Sequence, residues 1–239
     1  MQEKNNSETK KMTVAPKKAD SILFKINKKG EHRSPCMTFL RVCILPLVRL
    51  VYPFKVVGQK KVPNGACVYV CNHYRMIDPM YLLPTTKEGI HYIAKKETST
   101  LPVLGFFAKK VKTIFVNRDG NDVRAIIDAQ KCLKHGDKIA IYPEGKRNKT
   151  SETFLPFNSG SALIAIRAKV PIIPVVLYKR ARFLQRNIVL VGESIQLDEY
   201  YDTKLTEDVL KSADAKIFSA MTELRQNYEN KILAKRKKA

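Results

Sequence analysis

Four short stretches of this chain gather residue types that can do chemistry, and each adjoins an apolar run. The first is Asn72-His73-Tyr74-Arg75-Met76-Ile77-Asp78-Pro79, directly after the run Ala66 to Cys71. An imidazole titrates near neutrality and can take a proton from a hydroxyl, provided that a partner fixes its tautomer and stabilises the imidazolium that forms. Asp78 is a carboxylate within reach of His73. On a regular helix the two would stand about 140° apart, so pairing requires a turn between them, which a strand exit permits. Asp78 before Pro79 also reads as a helix N-cap followed by proline at the first helical position, with no catalysis implied. Cys71, two residues before His73, adds a nucleophile on the same strand face and with it an acyl-enzyme alternative.

The second stretch is Ile114-Phe115-Val116-Asn117-Arg118, followed by Asp119-Gly120. It reads as a strand running into a turn, where the arginine is either solvated or an anion ligand. The third, Tyr142-Pro143-Glu144-Gly145-Lys146-Arg147, again leaves a strand. Glycine lets backbone approach a ligand closely, and Lys146 and Arg147 offer the point and forked contacts that suit a phosphate. An ordinary basic loop has the same composition. The fourth, Val170-Pro171-Ile172-Ile173-Pro174-Val175, carries proline at a strand entry and reads as structural.

The elements that must position these groups follow from periodicity. Short β-branched runs predict strands at Ala66 to Cys71, Ile90 to Ala94, Thr113 to Asn117, Lys138 to Tyr142, Ile172 to Tyr178 and Asn187 to Val191. Between them Val123, Ile126, Ile127 and Leu133 form a helical stripe that ends at Gly136. Leu210, Ile217, Met221, Leu224 and Tyr228 repeat at helical spacing behind Thr206, with Glu207 and Asp208 in the first turn, and read as a packing helix. Alternating strands and helices define an α/β sheet, and ligands of such sheets gather beyond the carboxyl ends of the strands. A histidine at the exit of a strand therefore faces a crevice.

With 239 residues, 44% of them apolar and 28% charged, the chain suits one domain plus extensions. It carries 44 Lys and Arg against 22 Asp and Glu, a formal charge of +22 that favours anionic partners. Residues 1–35 hold nine of the basic residues and four acids and read as a basic, flexible extension; residues 231–239 form a second basic tail. The five cysteines lack paired spacings with histidine, so neither a disulfide framework nor a metal site is expected, and no secretory leader is evident.

Residues 36–57 open with the most hydrophobic stretch, Cys36 to Phe54, interrupted by Arg41, Pro46 and Arg49. An arginine at the centre of a bilayer costs about 2.5 to 3.5 kcal/mol, which disfavours a simple span. The two arginines fall about 80° apart on a helical wheel, leaving the rest of the circumference apolar. The segment is expected to lie at a membrane interface, the alternative being a buried core helix. The run Lys179 to Arg186, basic with Phe183 and Leu184, is a second candidate contact, and Leu101 to Phe107 reads as a core helix or an acyl-tunnel lining.

Taken in order, the four stretches resemble the blocks of the 1-acyl-glycerol-3-phosphate acyltransferase family: NHxxxxD at Asn72 to Asp78, phenylalanine-x-x-arginine at Phe115 to Arg118, Glu144-Gly145-x-Arg147, and the strand with Pro171 and Pro174. The chain departs from the family by placing Lys146 where threonine is usual. The resemblance implies a mixed, largely parallel β-sheet flanked by helices over residues 58–230, preceded by a membrane-associating helix. It implies acyl transfer from acyl-CoA or acyl carrier protein to the 2-hydroxyl of lysophosphatidate, at the cytoplasmic face of a membrane. His73 would be the general base and Asp78 its orienting partner. Asn72, Arg118, Glu144, Gly145, Lys146 and Arg147, with Lys95 and Lys96 as weaker candidates, would bind substrate. A thioester is already activated, so no cofactor and no metal are expected. Two alternatives stay open: another acceptor, such as glycerol 3-phosphate or a different lysolipid, and a non-catalytic binder of anionic lipid. Nucleic acid is not expected, since charge is its only support.

Overall fold

The computed structural model describes residues 20–59, 62, 64–117, 122–150, 153–158 and 160–237. A small antiparallel hairpin, β1 (Lys25–Ile26) with β2 (His32–Arg33), precedes a helical segment. Ser34 caps it, its hydroxyl accepting the Met37 N–H at 3.3 Å, and Pro35 stands at the first helical position where a missing N–H costs nothing. The segment runs as α1 (Pro35–Phe39), a π turn (Leu40–Ile44) and α2 (Leu45–Val51). The wide turn lies just ahead of Pro46, whose ring would clash with the carbonyl four residues back in a regular helix.

The sheet follows: β3 (Phe54–Gly58), β4 (Cys67–Cys71), β5 (Ile90–Lys95), β6 (Ile114–Val116), β7 (Lys138–Ile141), β8 (Ile172–Leu177) and β9 (Asn187–Val191). Its order is β3-β9-β8-β4-β7-β5-β6. The five strands from β8 to β6 are mutually parallel; β9 pairs antiparallel with β8 and carries β3 parallel to itself. The expected mixed, largely parallel sheet is therefore present. β3 is a departure from the sequence reading. The helix expected over residues 36–57 stops at Val51, and Phe54–Gly58 forms an edge strand instead. Gly58 explains the fit: at φ +104° it lies so close to the Val191 carbonyl that no Cβ could be accommodated.

Alternation along the strands feeds two cores. Val68, Val70, Ile139, Ile141, Ile172 and Val176 face the layer made by α4 (Val123–Lys134), α5 (Gly160–Ala168) and α6 (Glu207–Arg236). Tyr69, Cys71, Ile173, Val175 and Val189 face the other way, against Met37, Leu40 and Leu45 of the N-terminal helices and Tyr81, Leu82 and Leu83 of a 3₁₀ helix, Asp78–Thr85. Each fully buried Val, Leu or Ile contributes roughly 1.5 to 3 kcal/mol, so the central strands are anchored on both faces. α3 (Pro102–Lys110) closes the β5-to-β6 connection.

The two arginines of the N-terminal helical segment meet the protein differently. The Arg41 guanidinium donates to the carbonyls of Leu83, Lys87 and Glu88 at 2.9, 3.2 and 3.2 Å, and Arg49 sits 4.6 Å over the Phe54 ring. Arg41 is thus held against the fold while Arg49 stays exposed beside Phe54, and the segment also shows solvent an apolar side: Val42, Leu47 and Leu50 are 65, 61 and 73% exposed. No helix among the described residues is long and apolar enough to cross a membrane.

Candidate active site

β4, β7, β5 and β6 run parallel, so Asn72, Tyr142, Lys96 and Asn117, the residues that follow them, emerge on one edge of the sheet. There the first block turns back on itself. The Asp78 Oδ2 accepts from His73 Nδ1 at 2.9 Å and from the backbone N–H groups of Tyr74 and Arg75 at 2.6 and 2.7 Å. Those two backbone bonds are what close a separation that a regular helix would leave open. Asp78 begins the 3₁₀ helix and is completely buried, while the His73 side chain keeps 20% of its surface exposed. A carboxylate is an acceptor only, so Nδ1 is the donor of this pair and Nε2 is turned away from Asp78.

The loop after β7 holds His73 from its other side. Glu144 Oε1 accepts the His73 backbone N–H at 3.1 Å, and the Asn148 N–H donates to the His73 carbonyl at 2.7 Å. Tyr142 stacks on the imidazole with ring centroids 4.3 Å apart and planes 30° from parallel. Gly145 makes the loop's tight turn at φ +62°, where a Cβ would lie 2.6 Å from the Asn158 amide nitrogen.

The residues expected to bind substrate divide into two groups. Lys146 and Arg147 are exposed, Lys96 is exposed and Lys95 is half-buried at the end of β5, one strand beyond β7. Asn72 and Glu144, by contrast, are buried and already engaged. Asn72 Nδ2 donates to the Leu177 carbonyl at 3.1 Å and its Oδ1 accepts the Leu177 N–H at 2.8 Å, joining the ends of β4 and β8. Glu144 spends its second oxygen on the Leu155 N–H at 3.2 Å. Burial pushes its carboxyl up from the usual range, against the opposing pull of those N–H donors. Both brace the frame around His73 through these bonds. Arg118 lies outside the described residues.

Cys71 is fully buried; its Sγ donates to the Asn72 carbonyl at 3.3 Å, and burial pushes the thiol well above its ordinary value. A protonated, enclosed thiol is a poor nucleophile, which weighs against the acyl-enzyme route. Sequence reasoning missed the part played by Tyr142, although its position at the exit of β7, opposite the exit of β4, was the available signal.

The acyltransferase family matches residues 53–178, and the chain belongs to that family. It is 34% identical over 113 residues to human 1-acyl-sn-glycerol-3-phosphate acyltransferase beta, covering 46% of this chain and 40% of the relative. Against the 1-acyl-sn-glycerol-3-phosphate acyltransferase of Helicobacter pylori it is 34% identical over 118 residues, 48% of this chain and 49% of the relative. The Borreliella burgdorferi enzyme of the same name is 29% identical over 162 residues, 66% and 63%. In each case the match spans less than two thirds of the relative's length. The crystal structure of the Thermotoga maritima 1-acyl-sn-glycerophosphate acyltransferase shares the fold, with a TM-score of 0.56 at 21% identity over 80% of this chain and 78% of that one.

Proposed function

We propose that this protein transfers a fatty acyl group from a thioester, acyl-CoA or acyl carrier protein, to the 2-hydroxyl of 1-acyl-glycerol 3-phosphate, forming phosphatidate. The observation that carries the reading is His73, its Nδ1 held 2.9 Å from a buried carboxylate and its flank stacked on Tyr142 at the carboxyl edge of the sheet. In this reading Nε2 takes the proton of the acceptor hydroxyl as its oxygen attacks the thioester carbonyl. Asp78 stabilises the imidazolium, the C–S bond breaks, and the proton passes to the departing thiolate. The exposed Lys146 and Arg147, with Arg118 and with Lys95 and Lys96 at the end of β5, supply positive charge for the acceptor's phosphate. No covalent enzyme intermediate is needed, because the donor is activated already.

The names of the relatives support the acceptor, and the apolar surface supports a lipid setting. Residues Phe39, Val42, Leu47 and Leu50 project outward from α1 to α2, and the loop after β8 lies beside them: Leu184 N–H donates to the Val51 carbonyl at 2.8 Å and Phe183 packs edge-on against Tyr52. Phe183 and Leu184 are exposed between Arg182 and Arg186. Apolar side chains flanked by cations fit insertion into the headgroup zone of an anionic leaflet, with the enzyme resting at the cytoplasmic face. Thiol release by purified protein on mixed vesicles, comparing lysophosphatidate with glycerol 3-phosphate under each donor, tests acceptor and donor together. Release with lysophosphatidate alone is the expected result; release only with glycerol 3-phosphate, or none with either, overturns the proposal.

A further inference from the structure

Three of the chain's four histidines gather around one carboxylate, at the end of the sheet opposite His73. Asp137, immediately before β7, is completely buried. Its Oδ1 lies 2.6 Å from His32 Nδ1, and its Oδ2 lies 3.1 Å from His91 Nε2 and 3.3 Å from His135 Nδ1. These groups come from β2, β5 and the C-cap of α4, three elements far apart in sequence. Oδ2 also accepts the Phe24 N–H at 3.3 Å. Such convergence on one buried acid is costly unless each member has a partner.

His91 has its partners. Its Nδ1 sits 2.9 Å from the Lys112 carbonyl, its Nε2 faces Asp137, and its ring stacks on Phe24 at 4.1 Å. His135 does not: its Nδ1 is buried and makes no hydrogen bond among the described residues, although it points at the same carboxylate.

We infer that His32, His135 and Asp137 bind a divalent transition ion, and that zinc is the ion their donor set fits. Two imidazole nitrogens and a carboxylate oxygen, with a fourth place for water, form a recurrent zinc set. The three donor atoms lie within 4.8 Å of one another. Bonds of ~2.0 to 2.2 Å place tetrahedral donors roughly 3.3 Å apart, so the His32 contact has only to open by less than ~1 Å. The orphaned nitrogen of His135 then gains a partner. Oδ2 keeps its bonds from His91 and from the Phe24 amide, the outer donors that orient a ligating carboxylate. The His135 side chain, 26% exposed, leaves a path for the ion and room for water. An overlapping set of His91, Cys132 and Asp137 is less apt, because burial pushes the Cys132 thiol up to about 12.

The ion would be a clamp with no step in acyl transfer. His32 stands three residues before the first residue of α1, so the clamp fastens the approach to the apolar helices onto the far end of the sheet.

The test uses tag-free, full-length protein. Metal analysis after dialysis, titration of zinc against a chromophoric chelator, and thermal midpoints with and without zinc are measured for wild type, His135→Gln, His32→Gln and His73→Gln. Wild type is expected to hold about one zinc per chain and to gain about 5 °C when zinc is present at ~100 times its dissociation constant. His135→Gln, at a partly exposed helix end, is expected to fold and to weaken binding by at least about 10-fold, as is His32→Gln, while His73→Gln leaves it unchanged. Absence of retained zinc together with no midpoint shift overturns the inference, and so does unaltered zinc affinity in His135→Gln and His32→Gln.

Discussion

Tyr142 lies nearly flat against His73, its ring centroid 4.3 Å from that of the imidazole. The ring covers one flank of the imidazole, while its hydroxyl is buried and has no hydrogen-bond partner among the described residues. The aromatic face therefore does the positioning and the hydroxyl does nothing visible. Tyr142→Phe is expected to keep turnover within about threefold and to be neutral or stabilising by up to ~1 kcal/mol, since an unsatisfied buried group is removed. Tyr142→Ala is expected to lower turnover by about 10-fold or more and the melting temperature with it. Equal losses in both variants would assign a role to the hydroxyl and contradict the reading.

Cys71→Ser replaces a buried thiol by a hydroxyl of similar size, and Cys71→Ala removes the group. Both are expected to turn over within about threefold of wild type, with a stability cost of ~1 to 2 kcal/mol read from denaturant unfolding. Trapping of an acyl group on Cys71, or loss of turnover in a variant that remains folded, would restore the covalent route.

Glu144 links the loop after β7 to His73, and its pH behaviour is distinctive. Burial raises its folded value above the ordinary 4.5, so the native state favours the protonated acid. The stability this contributes is complete below the unfolded value and is lost as pH rises through the raised native one. Glu144→Gln lacks that titration. Melting temperatures taken from pH 4 to 7 should show the wild type losing ground relative to Glu144→Gln as pH increases; parallel curves would show that the buried acid does not titrate in the way its surroundings imply.

Leu47 and Leu50 project into solvent from α2, beside the exposed Arg49. Leu47→Glu with Leu50→Glu is expected to leave the melting temperature within about 2 °C of wild type, because exposed positions contribute little to folding. Co-sedimentation with vesicles containing anionic lipid should fall by about 10-fold or more. Unchanged sedimentation would remove the membrane role of this surface.

Six strands were legible in the sequence to within one residue at either end, because β-branched runs between turn residues have few alternatives. β3 was not, for a local reason: Phe54–Gly58 continues the apolar composition of the helix before it, and only pairing with β9 decides its form. The site was legible as types and order. Its division of labour was not, since Asn72 and Glu144 carry the polar groups of ligands yet spend them on the backbone of Leu177, His73 and Leu155. The histidines around Asp137 were invisible for the same reason, as His32, His91 and His135 have no regular spacing in sequence and meet only through the sheet.

The central claim is that His73 deprotonates the acceptor. Single-turnover thiol release on vesicles bearing lysophosphatidate, for wild type and a folded His73→Ala, tests it most directly. The account predicts a loss of about 10²-fold or more in the rate of the chemical step, the size expected for a missing general base. A change under threefold, with the variant's melting curve unaltered, would contradict it.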